Sequence, residues 1–195
     1  MKQMITTPRG ICEYPSLNKP DTKFVAEGVY KTGLYLEGKE AEDLKDQLQS
    51  IVDKFIATLD DKNVKRAELP LKKPTDDRTG IVFNFKCKAS GTRSDGSKWK
   101  QTPKLFDASG KPFTTSQIIW GGTVAKITFE PVTYFTNLIG AGVSLRLKAV
   151  QVLDLVEGGS SAQTYGFTKE EGFVANEVET NEEIQEEPSN AANYY

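Results

Sequence analysis

The chain has 195 residues, a near-balanced net charge of −2 and no histidine. Without histidine it lacks the commonest general base at neutral pH, every Ser-His-Asp or Cys-His nucleophile and every His-containing zinc site. The small net charge hides an asymmetry: residues 157–195 carry nine acidic residues against one basic, a net −8, joined to a body of +6.

The length suits one domain followed by a tail. Residues 1–156 are read as the folded body and 157–195 as an acidic, flexible C-terminal segment ending in Tyr194 and Tyr195, because a block of like charge repels itself and stays solvated. No stretch approaches the ~18 apolar residues of a membrane span, and MKQMITTPRG has no apolar signal core. Cys12 and Cys87 form no CxxC pair and no disulfide framework, so buried thiols are expected.

In chain order, Thr7 to Leu17 predicts a first strand, with Pro8 and Pro15 near its ends where missing donors are tolerated. Asn18 to Asp21 reads as a turn, and Phe24 to Leu36 as a second strand with a bulge or bend at Gly28 and Gly33. From Glu40 to Leu59, Leu44, Leu48, Ile51, Val52, Phe55 and Leu59 recur at steps of three and four, one apolar stripe of a helix that packs on a sheet. Glu40, Glu42 and Asp43 suit its positive N-terminal end. A polar connection, 63–80, leads to Ile81–Ala89, where Phe83, Phe85, Cys87 and Ala89 alternate with Val82, Asn84, Lys86 and Lys88, a half-buried strand with a lysine-bearing outer face. Ser90 to Ser97 turns, Lys98 to Phe106 returns as a strand, and Asp107 to Pro112 turns again. Thr123 to Phe135 and Val143 to Val156 are the last two strands, with Gly140 and Gly142 between them. About six strands joined by tight turns imply antiparallel pairing and a small barrel capped by the helix.

Little of the chain carries reaction chemistry. Gly91 to Lys98 (GTRSDGSK) approaches a phosphate-binding loop, but Ser precedes Lys and a strand, not a helix, follows. Asp60-Asp61 and Asp76-Asp77 have no third ligand or base at readable spacing, so a nuclease-like carboxylate enzyme ranks last. No catalytic residue, metal site or cofactor is assigned. The segment Lys62 to Lys111, by contrast, holds 13 basic residues against five acidic ones, a net +8, interleaved with aromatics. That pairing suits single-stranded nucleic acid, whose phosphates meet cations while aromatic faces stack unpaired bases. The candidate contacts are Lys72, Lys73, Arg78, Lys86, Lys88, Arg93, Lys98, Lys100 and Lys104, with Trp99 as the stacking platform. On a flat strand Trp99 points away from Lys98 and Lys100; a twisted hairpin would bring them together. Phe83 and Phe85 are assigned to the core, and Trp120 to core or turn packing.

Several stretches, in order, resemble a known family: TPRG and YPSLNKPD within Thr7–Asp21, the helix after the second strand, LFDASGKP at Leu105–Pro112, GVSLRLKAVQV at Gly142–Val152 and GFTKEEG at Gly166–Gly172. They are similar to the phage-encoded single-stranded DNA-binding proteins of the podovirus and siphovirus replication type. The resemblance implies an OB-fold-like antiparallel barrel of five to six strands with one amphipathic capping helix. It implies a protein that coats single-stranded DNA in phage replication and recombination, in the cytoplasm of the infected bacterium. It also implies an acidic tail that contacts replication partners (a phage DNA polymerase and helicase/primase) and competes for the DNA groove. Here that role falls to Glu182, Glu183, Glu186, Glu187, Tyr194 and Tyr195. A homodimer stays open. The helix departs from an ordinary OB fold, which has it between the third and fourth strands: either two strands are merged within Phe24–Leu36 or the topology is a variant. The rival reading is a non-catalytic protein-interaction or virion-associated β-barrel whose lysines are merely surface.

Overall fold

Period-two alternation of apolar residues builds most of the molecule, because it gives each strand one face to bury. The computed structural model describes residues 3–59, 63–74, 76–114 and 118–156. Among them are ten strands: β1 (Ile5–Thr6), β2 (Gly10–Asp21), β3 (Val29–Leu36), β4 (Leu71–Lys72), β5 (Ile81–Lys88), β6 (Ser90–Thr92), β7 (Lys98–Lys100), β8 (Lys104–Phe106), β9 (Val124–Thr136) and β10 (Gly140–Asp154). One helix, α1 (Gly38–Ile56), lies between β3 and β4. The tail residues Glu182, Glu183, Glu186, Glu187, Tyr194 and Tyr195, and Lys62 with Asp60 and Asp61, lie outside the described residues.

Five strands close a ring. β2 pairs with β3, β3 with β5, β5 with β10, β10 with β9, and β9 returns to β2. Closure removes the open edges that a sheet would otherwise expose. β1 adds to β9, β4 to β5 and β8 to β10, while β6 and β7 form a separate two-stranded ribbon. The barrel is OB-like and mainly β, as expected. Two pairings, however, run parallel: β10 with β5 and β10 with β8. Short turns force antiparallel neighbours only between consecutive strands; β10 reaches β5 and β8 across long intervening chain, so its direction there is free.

The helix follows the second barrel strand, and Phe24–Leu36 holds one strand, β3, so the topology is a variant and no strands were merged. Ala41, Leu44, Leu48 and Val52 form its buried stripe. Phe24 is not in that strand; it stands 84% exposed in the turn before it. The expected turn at Asn18–Asp21 is instead the end of β2, which continues in irregular register until Asp21 pairs with Val29. The expected strand Lys98–Phe106 is two strands, β7 and β8, interrupted by Gln101, Thr102 and Pro103 and serving different sheets. In β5 and just after it, Phe83, Phe85, Cys87 and Ala89 are buried and Lys86 and Lys88 exposed as read, but Val82 is buried too, at the end of the strand where β3 and β4 flank it on both sides.

The core gathers Phe83, Phe85, Ile127, Phe129, Leu145 and Leu147 with the helix stripe. In β10 the inward positions run Val143, Leu145, Leu147, then switch to Val150 and Val152. A register shift between Leu147 and Ala149 causes the switch, since one extra residue inverts the alternation. The hairpin from β9 turns at Gly140, whose φ is +93° and where a Cβ would lie 1.9 Å from the Lys65 carbonyl oxygen. Only glycine fits there.

Both cysteines are free and buried. Burial pushes the Cys12 thiol up to about 11, and raises that of Cys87. A thiol-disulfide reagent at neutral pH should therefore label neither in the native protein and both once it is denatured. The rings of Phe85 and Phe129 pack at 5.1 Å, both fully buried. Phe129→Ala should cost about 3–5 kcal/mol in urea unfolding, the usual loss for a buried aromatic.

Candidate nucleic-acid interface

A row of cations crosses the barrel wall. Lys31 on β3 stands opposite Lys86 on β5, and Lys86 opposite Arg146 on β10. Neighbouring strands lie ~4.8 Å apart, and like charges directly opposite each other are destabilising. The row is partly neutralised at its two ends. Lys31 Nζ donates to Asp21 at 2.5 Å, and this bond holds the Asp21 carboxyl below the usual carboxylate range. Arg146 and Lys148 share the buried carboxylate of Glu130, at 3.6 and 2.9 Å. Lys86, in the middle, has no carboxylate partner among the described residues.

The row opens onto a groove of about 910 Å³. Six cations line it: Lys86, Lys88, Arg93, Lys100, Arg146 and Lys148, with Trp99 among them and no acidic side chain. The β6–β7 ribbon forms one wall. Trp99 faces Gly91 across that ribbon, and a Cβ on Gly91 would come within 2.7 Å of its ring. Glycine thus leaves room for the indole beside the ribbon's backbone. Trp99 is half-buried, not a core residue. Arg93 donates to Ser97 Oγ at 3.1 Å, which ties its guanidinium to the ribbon's own turn.

The structure therefore brings together five of the ten sequence candidates: Lys86, Lys88, Arg93, Trp99 and Lys100. Lys72, on β4, lines an adjoining hollow of about 260 Å³ with Lys31 and Lys86. Its ammonium sits 5.3 Å from the ring centroid of Tyr14 and 3.9 Å from the buried carboxylate of Glu13. Arg78 is engaged within the protein. It bonds Asp76 at 2.7 Å and Glu13 at 2.9 Å and lies 4.2 Å over Tyr35. Asp76 raises the Arg78 guanidinium pKa, and in return its own carboxyl is held low. Lys73 and Lys98 are exposed but line none of these hollows. Lys104 lies on β8 beside a separate hollow with Leu17 and Phe113. Among the described residues no three Cys, Asp or Glu side chains gather as a metal cluster.

Sequence reading missed Lys31, Arg146 and Lys148, because it counted charge in one window of the chain. A signal was present: in SLRLK, Leu145 and Leu147 alternate with Ser144, Arg146 and Lys148, an outward basic face. Trp120 was assigned to core or turn packing; it lies beside a turn but is 46% exposed, while its neighbour Ile119 takes the buried place.

Residues 9–155 match the family described as the single-stranded DNA-binding protein of bacteriophage T7. No curated protein matches the chain. Among solved structures, gp2.5, a single-stranded DNA-binding protein encoded by bacteriophage T7, is similar at 24% identity and a TM-score of 0.69, over 90% of this chain and all of that one. The single-stranded DNA-binding protein of bacteriophage Enc34 in complex with single-stranded DNA is similar at 15% identity and a TM-score of 0.53, over 77% of this chain and 86% of that one. A C-terminal truncation of the Enc34 protein is similar at 18% identity and a TM-score of 0.50, over 77% and 85%. These likenesses show a shared fold. No helix among the described residues is long and apolar enough to cross a membrane.

The cation row has a measurable consequence without any ligand. Lys86→Thr removes the middle charge and installs a good strand former, so its thermal midpoint should exceed that of the parent at low salt. The gain should shrink as salt screens the row over ~10 Å at 0.1 M.

Proposed function

Because the chain belongs to the family of the bacteriophage T7 single-stranded DNA-binding protein, a non-catalytic DNA-binding class, we propose that it coats single-stranded DNA in phage replication and recombination. One observation carries this reading to particular atoms: a groove lined by six cations and Trp99, with no acidic side chain. The phosphates of a single strand lie along Lys86, Lys88, Arg146 and Lys148. A base stacks on Trp99, contributing about 1–3 kcal/mol with little preference for its identity. Duplex DNA has no unpaired base to offer that ring, so it binds through charge alone. Lys72, Lys73, Lys98 and Lys104 remain proposed contacts, whereas Arg78 acts indirectly, by holding Glu13 and Tyr35 in place.

The acidic segment 157–195 competes with DNA for this positive surface and offers Glu182, Glu183, Glu186, Glu187, Tyr194 and Tyr195 to partners. Those partners are a phage DNA polymerase and helicase/primase, met in the cytoplasm of the infected host, and a second copy of the chain is a further candidate. Support comes from charge: a −8 segment on a +6 body is attracted to the same groove that attracts phosphate.

Fluorescence titration with oligo-dT and with duplex of equal length tests the reading. Tight binding of the single strand, weakening linearly in log salt, is expected. Equal affinity for both, or none at low salt, would refute it. Lys86→Ala and Lys88→Ala should each lower the salt slope by about 0.7. Deleting residues 179–195 should strengthen binding, most at low salt, and unchanged affinity would count against self-competition.

A further inference from the structure

We propose that the hollow between Tyr14 and Trp120 is a second base-stacking subsite, which takes a nucleobase from the same single strand at a distance from Trp99. The inference rests on the single-stranded DNA reading above. Tyr14 is the only non-glycine residue among those described with a positive φ, +47°. A bulky residue in that region is an outlier and is held there against its preference. The cause lies in the register. Glu13 pairs with Gly33 and Ser16 with Lys31, so Tyr14 and Pro15 together oppose Thr32 as a bulge. Bulges re-aim side chains, and this one turns the Tyr14 ring outward, 67% exposed.

Trp120 is fixed nearby. Its N–H donates to the Val156 carbonyl at 3.4 Å, and its carbonyl accepts from the Thr123 N–H at 3.3 Å. The Gly122 N–H donates to the Cys12 carbonyl at 2.9 Å, which ties this turn to β2 two residues before Tyr14. Tyr14, Trp120 and the exposed Ile118 line a hollow of about 640 Å³, with the Lys31–Asp21 ion pair and the buried Glu13 in its wall.

Continuity with the basic groove identifies the occupant. The hollow shares Glu13, Tyr14 and Lys31 with its 260 Å³ neighbour, which adds Lys72 and Lys86. Lys86 in turn lines the large groove that holds Trp99. Aromatic faces thus stand at both ends of one line of cations. A wholly apolar partner would gain nothing from Lys31 in the hollow or from Lys72 and Lys86 in its neighbour, whereas a base with its phosphate meets both kinds of group.

The chain has only two tryptophans, Trp99 and Trp120, so each can be made the sole reporter. Trp99→Phe leaves Trp120 emission, and Trp120→Phe leaves that of Trp99. Saturating oligo-dT, long enough to span the wall, should quench both variants. Tyr14→Gly supplies the second arm. Glycine accepts a positive φ without strain, so the thermal midpoint should hold or rise while affinity for oligo-dT falls by about 5- to 160-fold, the equivalent of one stacked base. Quenching of Trp99 without any response of Trp120, or unchanged affinity in Tyr14→Gly, would overturn the subsite and leave the single-stranded DNA reading standing. Failure of the parent protein to bind oligo-dT at all would overturn both.

Discussion

The contact on which the cationic wall depends is the parallel pairing of β10 with β5, registered at Leu145 with Phe85 and Arg146 with Lys86. It closes the ring, and it does so with two consequences of opposite sign. Inside, Leu145 and Phe85 join the core with Phe129 and Leu147. Outside, Arg146 meets Lys86, which already faces Lys31. Because strand faces alternate, the packing that favours closure also forces three cations into line. The wall therefore stores electrostatic repulsion sustained by the apolar core, which a polyanion bound there would relieve.

Acids are placed so as to temper that repulsion without cancelling it. Asp21 and Glu130 serve the ends of the row, while Glu13 is held by Arg78 with Lys72 close by. Glu13 and Glu130 are buried, so they act on their own cations and offer little carboxylate surface to a phosphate. The large groove keeps six cations and no acid in its lining. An acid on its floor would repel the ligand directly. One tucked behind a cation lowers the cost of keeping that cation on the wall.

Much of the fold was legible because it rests on local periodicity. The helix stripe Leu44, Leu48, Val52 and the alternation Phe83, Phe85, Cys87 appear in the structure with the faces read from the sequence. Errors fell where long-range pairing overrides local chemistry. Asn18–Asp21 has turn residues yet stays in β2, and Lys98–Phe106 looks continuous yet divides at Pro103 between two sheets. The candidate site divides the same way. Lys86, Lys88, Arg93, Trp99 and Lys100 are close in sequence and could be found by counting charge. Lys31, Arg146 and Lys148 come from distant strands, and Tyr14 is exposed by a bulge that no window reveals.

By itself, the sequence determined the charge pattern: a basic, aromatic-bearing body joined to a −8 terminal segment, which suits a single-stranded polyanion but leaves a protein-interaction barrel open. Composition and alternation are properties of neighbours along the chain, and they need no contact map. Only the tertiary structure decided which cations share a surface, that Arg78 is held by carboxylates, and that Tyr14 and Trp120 stand in the open. Those outcomes depend on barrel closure and on register. A one-residue shift exchanges a strand's inner and outer faces, and nothing local reports it.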